Sequence, residues 1–421
     1  MKKKMLSMLL ALTVTASLVG CATTGGTETA APAADAPAET EAAASEAPAD
    51  EAAPVAEGDT IKIGVNYELS GAVATYGQSS VDGIKLAIDE INAAGGVLGK
   101  QIELVQMDNK SDAAEVVSVA TRLMTEEGVV AVLGPATSGD FKAEIPIAAE
   151  NGIPVLSGSA TANDVTVDYK DGAIVEGTTK EYAFRICFSD DFQGVAMANY
   201  AAKNLGAKKV AVVQDKSSDY AEGLAASFIS TFQSLGGEIV AQEAYTSGDT
   251  DFNAILTSLA GKDFDAIWLP GYYQEVGLII KQARALGIDV PVLGADGFDS
   301  PVLAELAGAD ALHDVYYSNH YSSLNEDETV TAFIEAYKAA HGVEPDAFNA
   351  LGYDAAKLMC DAIERAGEAS PEAIKDALAA TTEFKAVTGT LSIDENHNAQ
   401  KALVVIKIDN GVAVSAENAT L

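Results

Sequence analysis

An α/β chain with doubly wound parallel sheets arranged in two lobes is what three features of the sequence predict. Short β-branched runs alternate with amphipathic helical patterns of about ten to fifteen residues, which implies βαβ crossovers and sheets covered on both faces. Leu205-Gly206, Leu235-Gly236 and Leu286-Gly287 each stop a helix just before a strand, where a glycine C-cap belongs. The globular stretch, residues 59–421, is also too long for one small core.

Taken in order, Ile61–Val65 reads as a buried strand. Ile84, Ala87, Ile88 and Ile91 then recur at i, i+3, i+4 and i+7, a helix ended by Gly95-Gly96. Strands are expected at Ile102–Met107, Val129–Leu133, Ile153–Leu156, Val210–Val213, Glu238–Ala241, Ala266–Leu269 and Pro291–Leu293. Helices lie between them, one marked by Val276, Ile279, Ile280 and Ala283. After Asn319 the alternation gives way to three helical segments, at 326–341, 347–366 and 371–380, and then to strands near Gly389–Ile393 and Ala402–Ile408.

The N-terminus carries an address. Lys2, Lys3 and Lys4 open an apolar run, Met5 to Val19, that ends in Leu18-Val19-Gly20-Cys21. A basic start, an apolar centre and small residues before a cleavage point make an export signal, here residues 1–20. Its end resembles the bacterial lipobox, which implies that Cys21 is lipidated and becomes the mature N-terminus. Residues 21–58 are Ala, Thr, Pro, Glu and Asp with no Lys or Arg. Such a segment cannot recover its ordering entropy by burial and is expected to be a disordered acidic tether. The expected location is the extracytoplasmic face of a membrane, held there by lipid.

Charge and motifs exclude several classes. The formal charge is −36, and the 26 basic residues lose three with the signal while all 62 acidic ones remain. Nucleic acid and anionic lipid are poor partners for such a chain. Cys187 and Cys360 are isolated, giving neither a metal-site spacing nor a disulfide framework, and whether they pair stays open. His313, His320, His341 and His397 are scattered, and no P-loop, nucleophile elbow or zinc-protease motif occurs. Asp394, Asn396 and Asn398 start like a calcium loop, but Ala399 and Val405 stand where its Gly and Glu are required, so the stretch reads as a hairpin turn. No enzyme, no cofactor and no metal are expected.

What remains is a set of polar loops at the carboxyl ends of strands, where open α/β sheets bind small ligands. They are Gly134-Pro135-Ala136-Thr137-Ser138, Ser157-Gly158-Ser159-Ala160-Thr161 and Gly294-Ala295-Asp296-Gly297. Hydroxyls and free amides at a helix N-terminus suit a carboxylate, and a lone acid on a facing loop suits an ammonium. Each also has a plainer reading: Thr137 or Ser138 as an N-cap, Thr161 capping a turn, Asp296 closing an Asx-turn.

Together with Tyr67-Glu-Leu-Ser-Gly71, Tyr76-Gly77, Gly83, Asp89-Glu-Ile-Asn92, Gln193-Gly194 and Gly271-Tyr272-Tyr273, these loops are spaced as in the leucine/isoleucine/valine-binding proteins. Those are the solute receptors of branched-chain amino acid ABC transporters, with the type I periplasmic-binding-protein fold. The resemblance runs from about Asp59 to Val405. It implies two lobes joined by three crossovers near Asp190, Asn319 and Gly389, with residues 59–189 and 320–388 in lobe 1 and 190–319 and 389–421 in lobe 2. It also implies that Ser138 and Thr161 bind an α-carboxylate, and that the Ser159 carbonyl and Asp296 bind an α-ammonium. Tyr76, Tyr220 and Tyr272, with Ala136 and Thr137 on the floor, would wall the side-chain pocket. The implied partners are an uncharged, branched-chain or similar L-amino acid, the permease subunits and the membrane, for a monomeric receptor. Ala136 and Thr137 replace bulkier residues common in leucine binders, and Asp168–Lys180 looks like an insertion. A sensor for a separate signalling partner, or a binder of an amide, an aromatic acid, a sugar or an acidic amino acid, stays open. Lys216 and Arg185 are the nearest cations that an acidic ligand could use.

Overall fold

The computed structural model describes residues 60–419; the export signal, Cys21 and the acidic tether lie outside them. The chain runs β1 (Thr60–Tyr67), α1 (Ala74–Ala93), β2 (Gln101–Asp108), α2 (Ala113–Thr125), β3 (Ala131–Leu133), α3 (Ser138–Asn151) and β4 (Val155–Ser157). A hairpin, β5 (Tyr169–Lys170) and β6 (Ala173–Ile174), precedes β7 (Ala183–Arg185). Then come α4 (Asp190–Asn199), β8 (Lys209–Asp215), α5 (Asp219–Ser234), β9 (Glu238–Tyr245), α6 (Asn253–Ala260), β10 (Ala266–Trp268), α7 (Tyr273–Ala285), β11 (Val292–Gly294), α8 (Leu303–Ala307) and β12 (Val315–Asn319). The chain ends with α9 (Glu328–His341), α10 (Ala347–Ala366), α11 (Pro371–Ala379), β13 (Phe384–Ala386), β14 (Gly389–Ile393), β15 (Ala399–Gln400), β16 (Val404–Asp409) and β17 (Val412–Asn418).

Two sheets organise these elements. The first has the order β2-β1-β3-β4-β7, all parallel. The second has the order β17-β16-β12-β11-β10-β8-β9, parallel except for β16 and β17, which close one edge antiparallel. Period-two alternation splits each strand between two cores. In β3, Ala131 and Leu133 pack with α1 and α10, while Val132 faces α2 and α3. In β10, Ile267 faces α6 and α7, while Trp268 stacks on Phe228 of α5. A sheet buried on both faces needs such near-continuous apolar runs. None of the helices among the described residues is long and apolar enough to cross a membrane.

After β12, α9, α10 and α11 return to the first sheet, with α10 packed along α1. Their approach rests on two glycines. A Cβ on Gly83 would stand 2.0 Å from the Asn349 carbonyl oxygen, and one on Gly352 2.0 Å from that of Ser80. Asp346 and Asn349 form a capping box at the start of α10, and Ser79 donates to Asp346 at 2.6 Å. The N-terminus of α10 is thereby fixed over the mouth of the first sheet.

The third connection differs from the expected position near Gly389. β14 does not join the second sheet. It pairs with β13 and β15 in a small antiparallel sheet, and Leu391 and Ile393 fill the core shared with α10 and α11. The chain enters the second sheet only at Val404, after Lys401–Leu403. The Asp394–Asn398 segment is a hairpin turn, with the Asp394 amide donating to the Asn398 carbonyl at 2.9 Å. Asp168–Lys180 holds the β5–β6 hairpin, and Cys187 and Cys360 are buried free thiols.

Candidate binding cleft between the lobes

The carboxyl ends of the two sheets face each other across a cavity of about 230 Å³. Tyr76, Ala136, Thr137, Ser138, Ser159, Tyr220, Tyr272, Asp296, Gly297 and Phe348 line it. Every pocket residue expected from the sequence is here except Thr161, which is fully buried outside the lining.

The first-lobe face is a helix N-terminus held open. Glu68, at the end of β1, is buried and accepts from the Ala136 amide, the Thr137 amide and the Thr137 hydroxyl at 3.0, 3.0 and 3.1 Å. Burial, with Asp140 nearby, pushes the Glu68 carboxyl up to about 8. Thr137 therefore occupies the N-cap position of α3 with its hydroxyl turned to Glu68 and not to the helix. The first-turn amides of α3 are left without a side-chain cap at the cavity edge. The neighbouring loop is stitched to this one: Ser157 donates to the Pro135 carbonyl at 2.6 Å, Ser159 to the Ala136 carbonyl at 2.9 Å, and the Ala162 amide to the Ser138 hydroxyl at 3.0 Å. Behind them, the Thr161 hydroxyl and both Asp190 carboxyl oxygens are buried without a completed hydrogen bond. Burial raises the Asp190 carboxyl well above the usual range.

The second-lobe face is built around Asp296, 4% exposed in a short 3-10 turn after β11. One oxygen accepts from Gln193 Nε2 at 3.1 Å and the Tyr220 hydroxyl at 2.7 Å; the other meets His320 Nε2 at 3.1 Å. Ser318 donates to Gln193 Oε1 at 2.7 Å, which orients the amide. Burial pulls His320 down to about 4, so the neutral ring donates to Asp296 from Nε2. Gly297 is required by proximity, since a Cβ there would lie 2.6 Å from the Gly271 carbonyl oxygen and 2.9 Å from the Tyr220 hydroxyl.

Aromatic rings complete the walls. Tyr76 stacks on Phe348 at 4.2 Å and meets Tyr272 edge-on at 5.7 Å, while Tyr272 stacks on Tyr220 at 5.0 Å. Burial raises the Tyr76, Tyr220 and Tyr272 phenols well above their ordinary value, so they remain hydroxyls. The lobes are clasped: Tyr76 donates to the Gly297 carbonyl at 2.5 Å and accepts from the Tyr273 amide at 3.2 Å. At the rim, Lys142 of α3 lies 2.5 Å from Asp164 and 2.7 Å from Asp219 of α5.

Among the described residues, no Lys, Arg or His lines the cleft. Arg185 is spent elsewhere, on the Ala160, Thr161 and Ala162 carbonyls and on Asn398. Lys216 is also absent from the lining. Sequence reasoning missed Phe348 and His320 as parts of the site, and Glu68 stood in the Tyr67–Gly71 pattern without a role. Gln193 stood in the recognised pattern without a role.

A family model described as periplasmic binding protein matches residues 60–413. The chain belongs to that family. It is a solute-binding protein of a family that works outside the cytoplasm. It is similar to the leucine-, isoleucine-, valine-, threonine- and alanine-binding protein of Pseudomonas aeruginosa, with 32% identity over 80% of this chain and 86% of that one. Among solved structures it resembles LivJ, the branched-chain amino acid transporter substrate-binding protein of Streptococcus pneumoniae, in complex with isoleucine. Identity there is 44% and the TM-score 0.80, covering 85% of this chain and 99% of that one. The leucine-binding protein LivK of Thermotoga maritima is 37% identical with TM-score 0.78, over 85% of this chain and 99% of that one. The fold is that of the type I periplasmic binding proteins, as the family resemblance implied.

Proposed function

We propose that this binding protein captures an L-amino acid with an uncharged, branched-chain or similar side chain and delivers it to an ABC permease. The observation that carries the reading is the pairing in one small cavity of an uncapped helix N-terminus with the carboxylate of Asp296, and no cation. The α3 amides and the Ser138 hydroxyl take the α-carboxylate, with the buried Thr161 hydroxyl behind them. The Ser159 carbonyl and Asp296 take the α-ammonium. Tyr76, Tyr220, Tyr272 and Phe348 enclose an apolar side chain over the Ala136–Thr137 floor. A dicarboxylic ligand would need a cation that the lining lacks. The names of the Pseudomonas, Streptococcus and Thermotoga relatives support the same choice.

As the sequence stands, this receptor is lipidated on Cys21, tethered to the outer face of the membrane through residues 21–58 and monomeric. Cys21→Ala is then expected to abolish membrane retention; a wild-type N-terminus without lipid by mass spectrometry overturns the anchor. The ligand is tested by calorimetric titration against the amino acids, each compared with its decarboxylated amine and its deaminated acid. Binding of leucine, isoleucine or valine with both analogues far weaker is expected, because each analogue leaves buried groups unpaired at roughly 1–3 kcal/mol apiece. Equal binding of a simple amide or a sugar overturns the reading.

A further inference from the structure

The Asp168–Lys180 insertion contributes nothing to the cleft between the lobes. Its hairpin instead roofs a second cavity, about 940 Å³ including its open mouth, beside the first and third connections between the lobes. The lining has an unusual balance of charge. Arg185 is 2% exposed, and its four hydrogen bonds go to neutral oxygens: three from Nη1 to the Ala160, Thr161 and Ala162 carbonyls, one from Nε to Asn398 Oδ1. Nη2 has no protein acceptor among the described residues, on a side chain that lines the cavity. Asp190, Asp394 and Asp164 act on this guanidinium only through space, no carboxylate among the described residues is hydrogen-bonded to it, and its fork geometry matches one.

A second cation stands beside it. Lys401 lines the same cavity; among the described residues its ammonium is bonded only to the Thr388 hydroxyl, with the buried Asp354 carboxyl acting on it through space. Burial holds it down to about 8. Neither of the two lining acids is hydrogen-bonded to either cation. Asp191 accepts from the Tyr169 hydroxyl at 2.5 Å. Asp394 accepts from the Asn396 and Asn398 amides and from Gln400 Nε2, each at 2.9 Å. Phe188, Phe192 and Ile174 line the same cavity, the last 43% exposed on the hairpin.

We propose that this cavity is a second binding site, for a small carboxylate carried on an apolar body. Arg185 and Lys401 take the carboxylate, and Phe188, Phe192 and Ile174 cover the body. The site goes beyond the amino-acid reading of the cleft, and its test needs no ligand there.

The probe is 4-fluorobenzoate, titrated into the purified protein and followed by fluorine NMR. Saturable binding is expected, weakened at least tenfold by Lys401→Met and severalfold by Ile174→Asp, which sets a like charge at the cavity mouth. Neither residue lines the cleft between the lobes, so a probe bound there ignores both changes. Absence of saturable binding to the wild type overturns the proposal, as does unchanged affinity in either variant. Ile174 is exposed on a hairpin and tolerates substitution, so it decides alone where Lys401→Met fails to fold.

Discussion

The two faces of the cleft are built on opposite plans. On the first lobe, donors are left waiting: α3 has no side-chain cap, and behind it the buried Thr161 hydroxyl has only the Asp190 carboxyl beside it. On the second, Asp296 is already engaged by Gln193 and Tyr220 on one oxygen and by His320 on the other. The first face can accept a carboxylate without giving anything up. The second holds one acid in one orientation and must share it with an incoming ammonium. The groups behind the faces are also opposite: a carboxyl raised by burial to about 8 in Glu68, and an imidazole lowered to about 4 in His320. Each face is thus braced by a buried group held near neutrality in charge, which keeps the charge of the site at its surface.

The largest effect is expected where the acid is removed. Asp296→Ala leaves the ligand ammonium with only the Ser159 carbonyl and strips three donors of their acceptor. A loss of about 2–5 kcal/mol in ligand binding is expected, as for truncating one member of a buried charge pair. Unchanged affinity by calorimetry would break the comparison outright, because the second face would then not be the ammonium side.

Stability against pH separates the two braces. The His320 ring binds its proton less tightly folded than unfolded, so the unfolded chain takes up the proton first as pH falls below 6.5. Stability therefore drops between pH 6.5 and about 4, by roughly 3 kcal/mol for that shift. Glu68 works with the opposite sign. The folded chain keeps its proton up to about 8 while the unfolded chain releases it near 4.5, so its contribution is full below 4.5 and is lost as pH rises through 8. In urea melts, His320→Gln is expected to flatten the acid limb and Glu68→Gln the alkaline limb. If both variants shift the same limb, the two braces are not opposites.

How far this site could be read in the sequence follows from the range of its contacts. Ser138, Ser159 and Asp296 stand on short loops after strands, and the loop rule finds them locally. Phe348 reaches the cleft only because Gly83 and Gly352 let α10 lie against α1, a packing event between helices far apart in the chain. His320 and Gln193 meet Asp296 from the start of the second connection and from α4, and no spacing pattern announces that meeting. The sequence of β14 predicts a strand, but its alternation looks the same whichever sheet it joins; side-chain packing on α10 and α11 selects the small sheet.

On the first face, Ser138→Ala is expected to act less than Asp296→Ala. It removes one hydroxyl among several donors to the carboxylate, a charge-assisted bond worth about 1.5–3 kcal/mol. It also leaves the Ala162 amide without its acceptor, so some loss of stability accompanies the loss of affinity. Calorimetry beside thermal melts separates the two. A larger binding loss than for Asp296→Ala would reverse the ranking of the faces.

The smallest effect is expected from the group that joins them. Tyr76 comes from the first lobe, yet its hydroxyl donates to the Gly297 carbonyl and accepts from the Tyr273 amide on the second. Tyr76→Phe keeps the stack on Phe348 and removes only those two bonds. Both exist only when the lobes are closed, so their loss weakens the closed state without altering the groups proposed to hold the ligand's charged ends. A ligand that binds the closed form tighter loses affinity by the extra free energy of closure. Taking about 0.5–1.5 kcal/mol for each bond, less what water restores to the freed groups on opening, affinity should fall by roughly threefold to tenfold. The unliganded variant should also be more open by small-angle scattering. A variant that binds as tightly as wild type while scattering as a more open particle would mean that closure adds nothing to affinity. The two faces would then act separately, and not on one zwitterion.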